Sequence, residues 1–377
     1  MRIFVLTRGY PAGDRLYNHA FVHRRVLAYR EAGHVVSVFW IKHRGEASYY
    51  GFEDVEVATG GPEACLAHIK AFGPEAIAAH AMADDFWPVL SRIPSTIPVS
   101  AWIYGSEILP FHTVTECPSH DPERAAKALF VHQRRIAFWR NLVADWPQNL
   151  RLVFVSDYAA KSAIQAIGGP VPRYVVQPTG VDTTLFPYAD KPLDQRFNVL
   201  SIRPFSDWRY ANDLSVKAVL LLQDHPLFER FRFYFVGDGR LFDEVLAPVR
   251  DLPNVHCERR FLIQHEIARL HGDYGLFLCP SRDDAQGVSR DEAMSSGLVP
   301  IASLGGAVPE FVDSQSGLLA PPEDAAALAS CIAKLGENAR AFAALSKGAA
   351  ARIRDTLSMP QVISREIAIL KDRNDQP

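Results

Sequence analysis

The sequence is poor in cysteine, and the five it has, Cys65, Cys117, Cys257, Cys279 and Cys331, stand far apart along 377 residues. No C-x-x-C pair occurs, which excludes a disulfide framework and a cysteine zinc site and points to a reducing, cytoplasmic setting. No apolar run approaches the roughly 18 residues of a membrane span. The apolar stretch in the opening MRIFVLTRGYP is too short for a signal peptide. Any membrane contact is therefore expected at the protein surface. An excess of base is missing too: 40 Lys and Arg stand against 43 Asp and Glu, and neither half of the chain is basic, which argues against a nucleic-acid partner. No D-x-D pair is present, so the usual carboxylate grip on a metal–diphosphate is absent. Internal repeats and low-complexity stretches are lacking as well.

What the chain does have is apolar residues, 48% of the total, enough for a large core and, at this length, for two domains. Strand-like runs alternate with helical patterns: RIFVLT, then NHAFVHRRVLAYREAG, then HVVSVFW, followed by EAIAAH, PVSAWIYG, RLVFVS and RYVVQP. The rhythm resumes at FNVLSIR and runs through FRFYFVGDGR, NVHCERRFL, GLFLCPS, LVPIAS and GLLA. This is the βαβ pattern of parallel sheets, so the expected class is α/β, two Rossmann-like doubly wound domains facing across a cleft. The expected boundaries are residues 1–178 for the first domain and 196–358 for the second. Between them Thr179 to Gln195, rich in Pro, Asp and Thr, reads as a linker. The remainder, 359–377, reads as a C-terminal helix to about Asp372, crossing back to the first domain, with a frayed end. Ligands of such sheets sit at the carboxyl ends of the strands.

One such end carries DDAQGVSRDEAMSSGLVPIAS, Asp283 to Ser303, with Asp284 and Glu292 eight positions apart and Gly287 between them. Ser289 and Glu292 fit the S-x-x-E capping box, Ser289 as N-cap. Gly287 would let a ligand approach the helix N-terminus, a natural place for phosphate. Arg203 and Arg209 follow a strand and precede a helix that Asp213 could begin; paired guanidiniums suit a diphosphate, although two solvated surface arginines would look the same in sequence. FVGDGR, with Gly237 and Asp238, is a glycine-rich strand-to-helix turn. SLGGAVPEFV adds Gly305 and Gly306 before a helix begun by Pro309 and Glu310. His19 and His23 have the i, i+4 spacing of metal ligands, but no acidic third ligand is evident near them, and no metal site is expected. Ala128 to Trp146 mixes Arg134, Arg135 and Arg140 with Phe130, Phe138, Trp139 and Trp146. It has the make-up of a helix that packs its aromatics on the first domain's core, or of one that lies on an anionic membrane.

Taken together, D-x7-E with its internal glycine, the two arginines, VGDG, GG-x-PE and GLLAPPED resemble the C-terminal half of retaining glycosyltransferases of family 4 (glycosyl transferases group 1), which have the GT-B fold. The resemblance is close from about Val153 to Ala329, moderate over residues 1–40 and thin between 41 and 150. It implies that Glu292 binds the ribose of a nucleotide diphosphate sugar and Asp284 the hydroxyls of the transferred sugar. Gly287, Val288 and Ser289 would present backbone N–H groups near the diphosphate, with Gly237 and Asp238 alongside, and Arg203 and Arg209 would neutralise the leaving group. The catalytic set implied is thus Arg203, Arg209, Asp284 and Glu292, with no cofactor and no obligatory metal.

The chain departs from the family at Asp284, where Glu is usual, and at Arg209, where Lys is frequent. A His-Gly pair of the N-terminal domain is replaced by Tyr104 and Gly105, and the first glycine-rich loop is thinned to Gly9 and Gly13. Gly13, Tyr104 and Gly105 are the expected contacts from that domain. The expected partners are a nucleotide-sugar donor, UDP- or GDP-linked, and a glycan or lipid-linked acceptor, with polysaccharide or glycoconjugate synthesis as the setting. A nucleotide-sugar epimerase of the same fold, or a catalytically weak nucleotide-sugar-binding protein, would share most of these features.

Overall fold

The computed structural model describes residues 1–372 apart from Asp14, Tyr17, Ser106 and residues 109–121. Cys117 and the charged tail beyond Asp372 therefore lie outside the described residues. The chain forms two compact units. One takes in the described part of residues 1–178 together with 360–372, and the other residues 179–359.

The second unit is a six-stranded sheet built from β9 (Asn198–Ile202), β10 (Arg232–Gly237), β11 (Val255–Arg259), β12 (Leu276–Leu278), β13 (Val299–Ser303) and β14 (Leu318–Ala320). Their order is β11-β10-β9-β12-β13-β14, and every pairing is parallel. Counted from the first strand of the unit this is 3-2-1-4-5-6, the Rossmann order, whose direction of winding reverses between β9 and β12. Runs such as Phe233 to Val236 and Leu276 to Leu278 are apolar without alternation because helices cover both faces of the sheet. Phe231, Phe233, Phe235, Leu276, Ile301, Leu328, Ile332 and Phe342 share one core. Because all six strands run the same way, the loops that follow Ile202, Gly237, Leu278 and Ser303 emerge at one edge.

The first unit has an eight-stranded sheet: β1 (Arg2–Thr7), β2 (Val35–Ile41), β3 (Ser48–Phe52), β4 (Val55–Gly60), β5 (Ala76–His80), β6 (Val99–Ile103), β7 (Leu150–Phe154) and β8 (Tyr174–Val176), in the order β3-β4-β2-β1-β5-β6-β7-β8. Only β3 is antiparallel, paired with β4 through a turn at Glu53 and Asp54, both at positive φ. The helix Met359–Lys371 belongs to this unit. Its Glu366, fully buried, accepts from Arg25 Nε at 3.0 Å and from the Tyr29 hydroxyl at 2.5 Å. Arg25 is itself 1% exposed. Removing one partner of an ion pair this dry costs about 3–5 kcal/mol, so this contact ties the helix to the helix Ala20–Glu31, which carries both Arg25 and Tyr29. Arg151 Nη2 adds a bond of 2.7 Å to Asp372.

Thr179 to Gln195 is not the loose connection its composition suggests. Val181 exchanges backbone bonds of 2.8 Å with Leu357 and Met359. Phe186 is 1% exposed, and its carbonyl accepts from Ser295 Oγ at 2.7 Å. The segment lacks periodicity because it follows the surface of the second unit, yet Val181 and Phe186 anchor it there.

Candidate functional site

At the reversal point of the second sheet, the loop after β9 meets the loop after β12. Arg203, the first residue beyond β9, is 5% exposed and lies with Nη1 4.0 Å from Asp284 Oδ2. Arg209 arrives from the same loop, and both guanidiniums lie over one ring, that of Tyr210, at 5.1 and 5.3 Å from its centroid. Burial works against charge on Arg209, but Tyr210, Asp207, Asp283 and Asp284 more than offset it and keep the group firmly cationic. The Arg209 carbonyl accepts from Arg282 N at 2.9 Å and from Ser281 Oγ at 3.3 Å, which ties the arginine loop to the carboxylate loop. Arg282 in turn grips Asp213 with two bonds of 2.8 and 2.9 Å. Asp213 is the second residue of the helix Asn212–Leu221 rather than its cap; left-handed Ala211 precedes the helix.

The helix that follows Asp284 runs from Val288 to Ser295, and its N-cap is Gly287 at φ 94°, ψ 58°. The capping box expected of Ser289 and Glu292 is therefore absent. Ser289 already lies inside the helix, so the glycine's left-handed backbone, and no side chain, ends the loop. The first intrahelical donors are Arg290 and Asp291, both on Gly287 O. That leaves the N–H groups of Val288 and Ser289 outside the helical ladder, at the positive end of the helix dipole. Glu292 is 9% exposed and accepts from Gln264 Nε2 at 3.3 Å.

The glycines of this edge bring loops together. A Cβ on Gly237 would lie 1.9 Å from Arg203 O, and one on Gly239 2.2 Å from the carbonyl carbon of Phe205. One on Gly305 would lie 2.6 Å from Ser281 O, and one on Gly306 2.4 Å from Asp284 O. VGDG thus seats the arginine loop, and the glycine pair before Pro309 seats the carboxylate loop. Asp238 binds Gly239 N at 2.7 Å and Arg259 Nε at 2.8 Å, so its carboxylate is engaged in holding the turn.

In the first unit Tyr104 follows β6, and its hydroxyl bonds His80 Nδ1 at 2.7 Å, next to the strand-order reversal between β1 and β5. Its backbone N–H donates to Glu107 Oε2 at 3.0 Å. Gly105 has φ 115°, and Gly13 lies in an exposed turn. His19 is not on the helix Ala20–Glu31 but precedes it in a left-handed conformation, 3.2 Å from Thr7 Oγ1. His23 bonds Tyr10 at 2.7 Å and, through Nε2, Glu53 at 2.9 Å, the carboxylate that sequence spacing did not reveal. Among the described residues no group of three or more His, Cys, Asp or Glu is arranged to hold a metal ion. Trp139 and Ile136 of the helix Pro122–Ala144 are buried, while Leu129, Phe130 and Val131 are exposed.

Sequence reasoning missed Tyr210 and Gln286. The signal for Tyr210 was its position beside Arg209, where an aromatic ring can stack on a guanidinium; Gln286 gave none.

Residues 196–338, the larger part of this second unit, match the family described as Glycosyl transferases group 1. A curated relative, the amylovoran biosynthesis glycosyltransferase AmsK of Erwinia amylovora, is 25% identical over 218 residues, 55% of this chain. The chain spans about half of that relative's length, 53%. Among solved structures, sucrose-phosphate synthase from Thermosynechococcus elongatus superposes with a TM-score of 0.76 at 15% identity, covering 98% of each chain. HepE of Anabaena, solved in complex with UDP and glucose, superposes with a TM-score of 0.68 at 17% identity, covering 98% of this chain and 99% of its own. The family match is confined to residues 196–338, and the superpositions, which extend over nearly the whole chain, show a GT-B fold.

Proposed function

We propose that the protein is a retaining glycosyltransferase of family 4, which moves a sugar from a nucleoside diphosphate sugar to a hydroxyl of a glycan or lipid-linked acceptor. The observation that carries this is the meeting of Arg203 and Asp284 at the reversal point of a Rossmann-ordered sheet, beside a helix N-terminus with two N–H groups outside its ladder. Cationic groups and amides suit the diphosphate, and a carboxylate suits sugar hydroxyls. Glu292 takes the ribose and Asp284 the sugar, while Arg203 and Arg209 offset the charge that the diphosphate gains as it leaves. UDP-sugars are the first donors to test, because HepE has been solved with UDP-glucose; GDP-sugars come next. The name of AmsK supports a place in polysaccharide synthesis.

No helix among the described residues is long and apolar enough to cross a membrane. For a lipid-linked acceptor the exposed Leu129, Phe130 and Val131 offer a peripheral contact with the cytoplasmic membrane face, which co-sedimentation with anionic vesicles tests. Two arginines and a helix terminus make the reaction independent of added metal. The deciding experiment is a thermal-shift screen of uridine, guanosine and adenosine diphosphate sugars, followed by nucleotide release with and without EDTA. Stabilisation by one donor with slow, EDTA-resistant release of its nucleotide is the expected result. An altered sugar without release would make the protein an epimerase, and binding alone a binding protein. Activity lost to EDTA and restored by magnesium or manganese would overturn metal independence.

A further inference from the structure

Gln286 lies in the middle of the Asp284–Glu292 segment, 3% exposed, and its carboxamide is wholly committed. Oε1 accepts from the backbone N–H of Thr179 at 2.7 Å, and Nε2 donates to the backbone carbonyl of the same residue at 2.9 Å. A single side chain thus pairs with both main-chain groups of a residue 107 positions away, much as a strand neighbour would. Nε2 also donates to Asp291 Oδ2 at 3.0 Å. Asp291, fully buried, accepts on its other oxygen from Arg290 Nε and Nη2 at 3.0 and 2.6 Å. Arg290 Nη2 returns to the Gln286 carbonyl at 2.5 Å. The backbone N–H of Gln286 donates to Asp284 Oδ1 at 3.2 Å. Thr179, 4% exposed, is the residue at which the chain enters the second unit.

These bonds form one buried network with the loop at one end and the unit's first residue at the other. A buried polar network with its members paired specifies one geometry, because each broken bond leaves a desolvated group behind. The loop backbone between Asp284 and Ser289 cannot change its path without disturbing Gln286, and Gln286 cannot move without releasing both main-chain groups of Thr179.

The geometry points to Gln286 as a positioning residue that couples ligand occupancy of the Asp284–Ser289 loop to the backbone at Thr179, the point of entry from the preceding unit. This rests on the reading of that loop as the donor diphosphate and sugar site. A ligand that orders the loop tightens the Gln286 clasp, and a loosened clasp weakens the ligand.

The test uses the full chain labelled with 15N-threonine. UDP, GDP and ADP are titrated into the wild-type protein by calorimetry, and amide exchange of Thr179 is followed by NMR with and without the nucleotide that binds. Thr184, whose N–H bonds Asp182 within its own loop at 3.0 Å, serves as the control. The expected result is that nucleotide slows exchange at Thr179 by about tenfold or more while Thr184 is unchanged. In Gln286→Ala the nucleotide should bind at least several-fold more weakly and exchange at Thr179 should no longer respond. Gln286→Glu, which keeps the acceptor and loses the donor, should fall between the two. Nucleotide binding with no response at Thr179, or a response that survives in Gln286→Ala, would overturn the coupling and leave the donor site standing. Failure of all three nucleotides to bind the wild-type chain would overturn the donor reading and the coupling with it.

Discussion

Arg203 Nη1 and Asp284 Oδ2 stand 4.0 Å apart, the one on the residue after β9 and the other in the loop after β12, the two paired strands that border the reversal of the sheet. The distance is that of a loose ion pair rather than a closed one, and Tyr210 supports the guanidinium from its ring face. Each group thus keeps directions in which a ligand can be bound, the arginine toward phosphate and the carboxylate toward hydroxyls.

Arg203→Ala and Arg209→Ala should each lower turnover by about 10- to 150-fold, since a hydrogen bond to a charged group is worth about 1.5–3 kcal/mol and the diphosphate gains charge as it departs. Arg209→Lys should lose less, because it keeps the charge. Steady-state kinetics with the identified donor, beside far-ultraviolet melting curves, separate this from unfolding. Turnover at the wild-type rate in both alanine variants would remove the arginines from the site.

Gly306→Ala should damage the site through the backbone. The new Cβ would lie 2.4 Å from Asp284 O, at a φ of +57° that disfavours any side chain. Relief requires the carboxylate loop to shift, at about 1–3 kcal/mol. A lower melting temperature together with weaker donor binding is expected. A variant as stable as the wild type with intact affinity would show that the loop does not need this close approach.

The second unit's strands were readable where their apolar runs are continuous, as in Phe233 to Val236 and Leu276 to Leu278. The first unit's edge was not, since β3 and β4 turn through Glu53 and Asp54, residues that carry no hairpin signature. The capping box at Ser289 failed for a related reason: two matching letters, Ser289 and Glu292, cannot report the φ of Gly287, which decides where the helix starts. VGDG and the Gly305–Gly306 pair were legible as motifs but not as devices for seating other loops, because their contacts lie with Arg203 and Asp284 in other parts of the chain. Arg25 with Glu366 and Gln286 with Thr179 join residues 341 and 107 positions apart, which no local pattern encodes.

Without a capping role, Glu292→Gln should leave the melting temperature close to that of the wild type. It should weaken nucleotide binding by about 10-fold or more, the worth of one charge-assisted bond to a ribose hydroxyl. Calorimetry with the nucleotide alone is the measurement. A large loss of stability with unchanged affinity would make Glu292 a structural residue, held by Gln264 at 3.3 Å for the sake of the fold.

His271 gives the second unit a pH dependence that can be checked without any ligand. Burial, with a smaller effect from Lys191, lowers its pKa to about 3, and its Nδ1 pairs with Ser296 Oγ at 3.2 Å. Unfolded, it titrates near 6.5. Its neutral form therefore supports the fold fully above about pH 6.5, and that support is lost progressively as pH falls toward 3, by about 1.4 kcal/mol per unit. Denaturant midpoints at pH 7 and pH 5 should fall more steeply for the wild type than for His271→Gln, by the equivalent of about 2 kcal/mol. Equal slopes would mean that His271 takes up its proton in the folded protein over the same pH range as in the unfolded chain.

The last prediction concerns the stereochemistry of the proposed transfer. An inverting enzyme needs a general base on the acceptor hydroxyl, and double displacement needs a carboxylate nucleophile at the anomeric carbon. With Asp284 assigned to the sugar hydroxyls and Glu292 to the ribose, neither carboxylate is available for those tasks. The strong base that remains near the anomeric centre is the departing diphosphate, held by Arg203 and Arg209. It takes the acceptor's proton on the face it leaves, through a short-lived oxocarbenium-like state, and the product keeps the donor's configuration. Proton NMR of the first product formed should show the coupling constant of the donor's anomer. A coupling constant of the opposite anomer, or a sugar ester trapped on Asp284, would refute this mechanism while the fold and the place of the arginines in it stood unchanged.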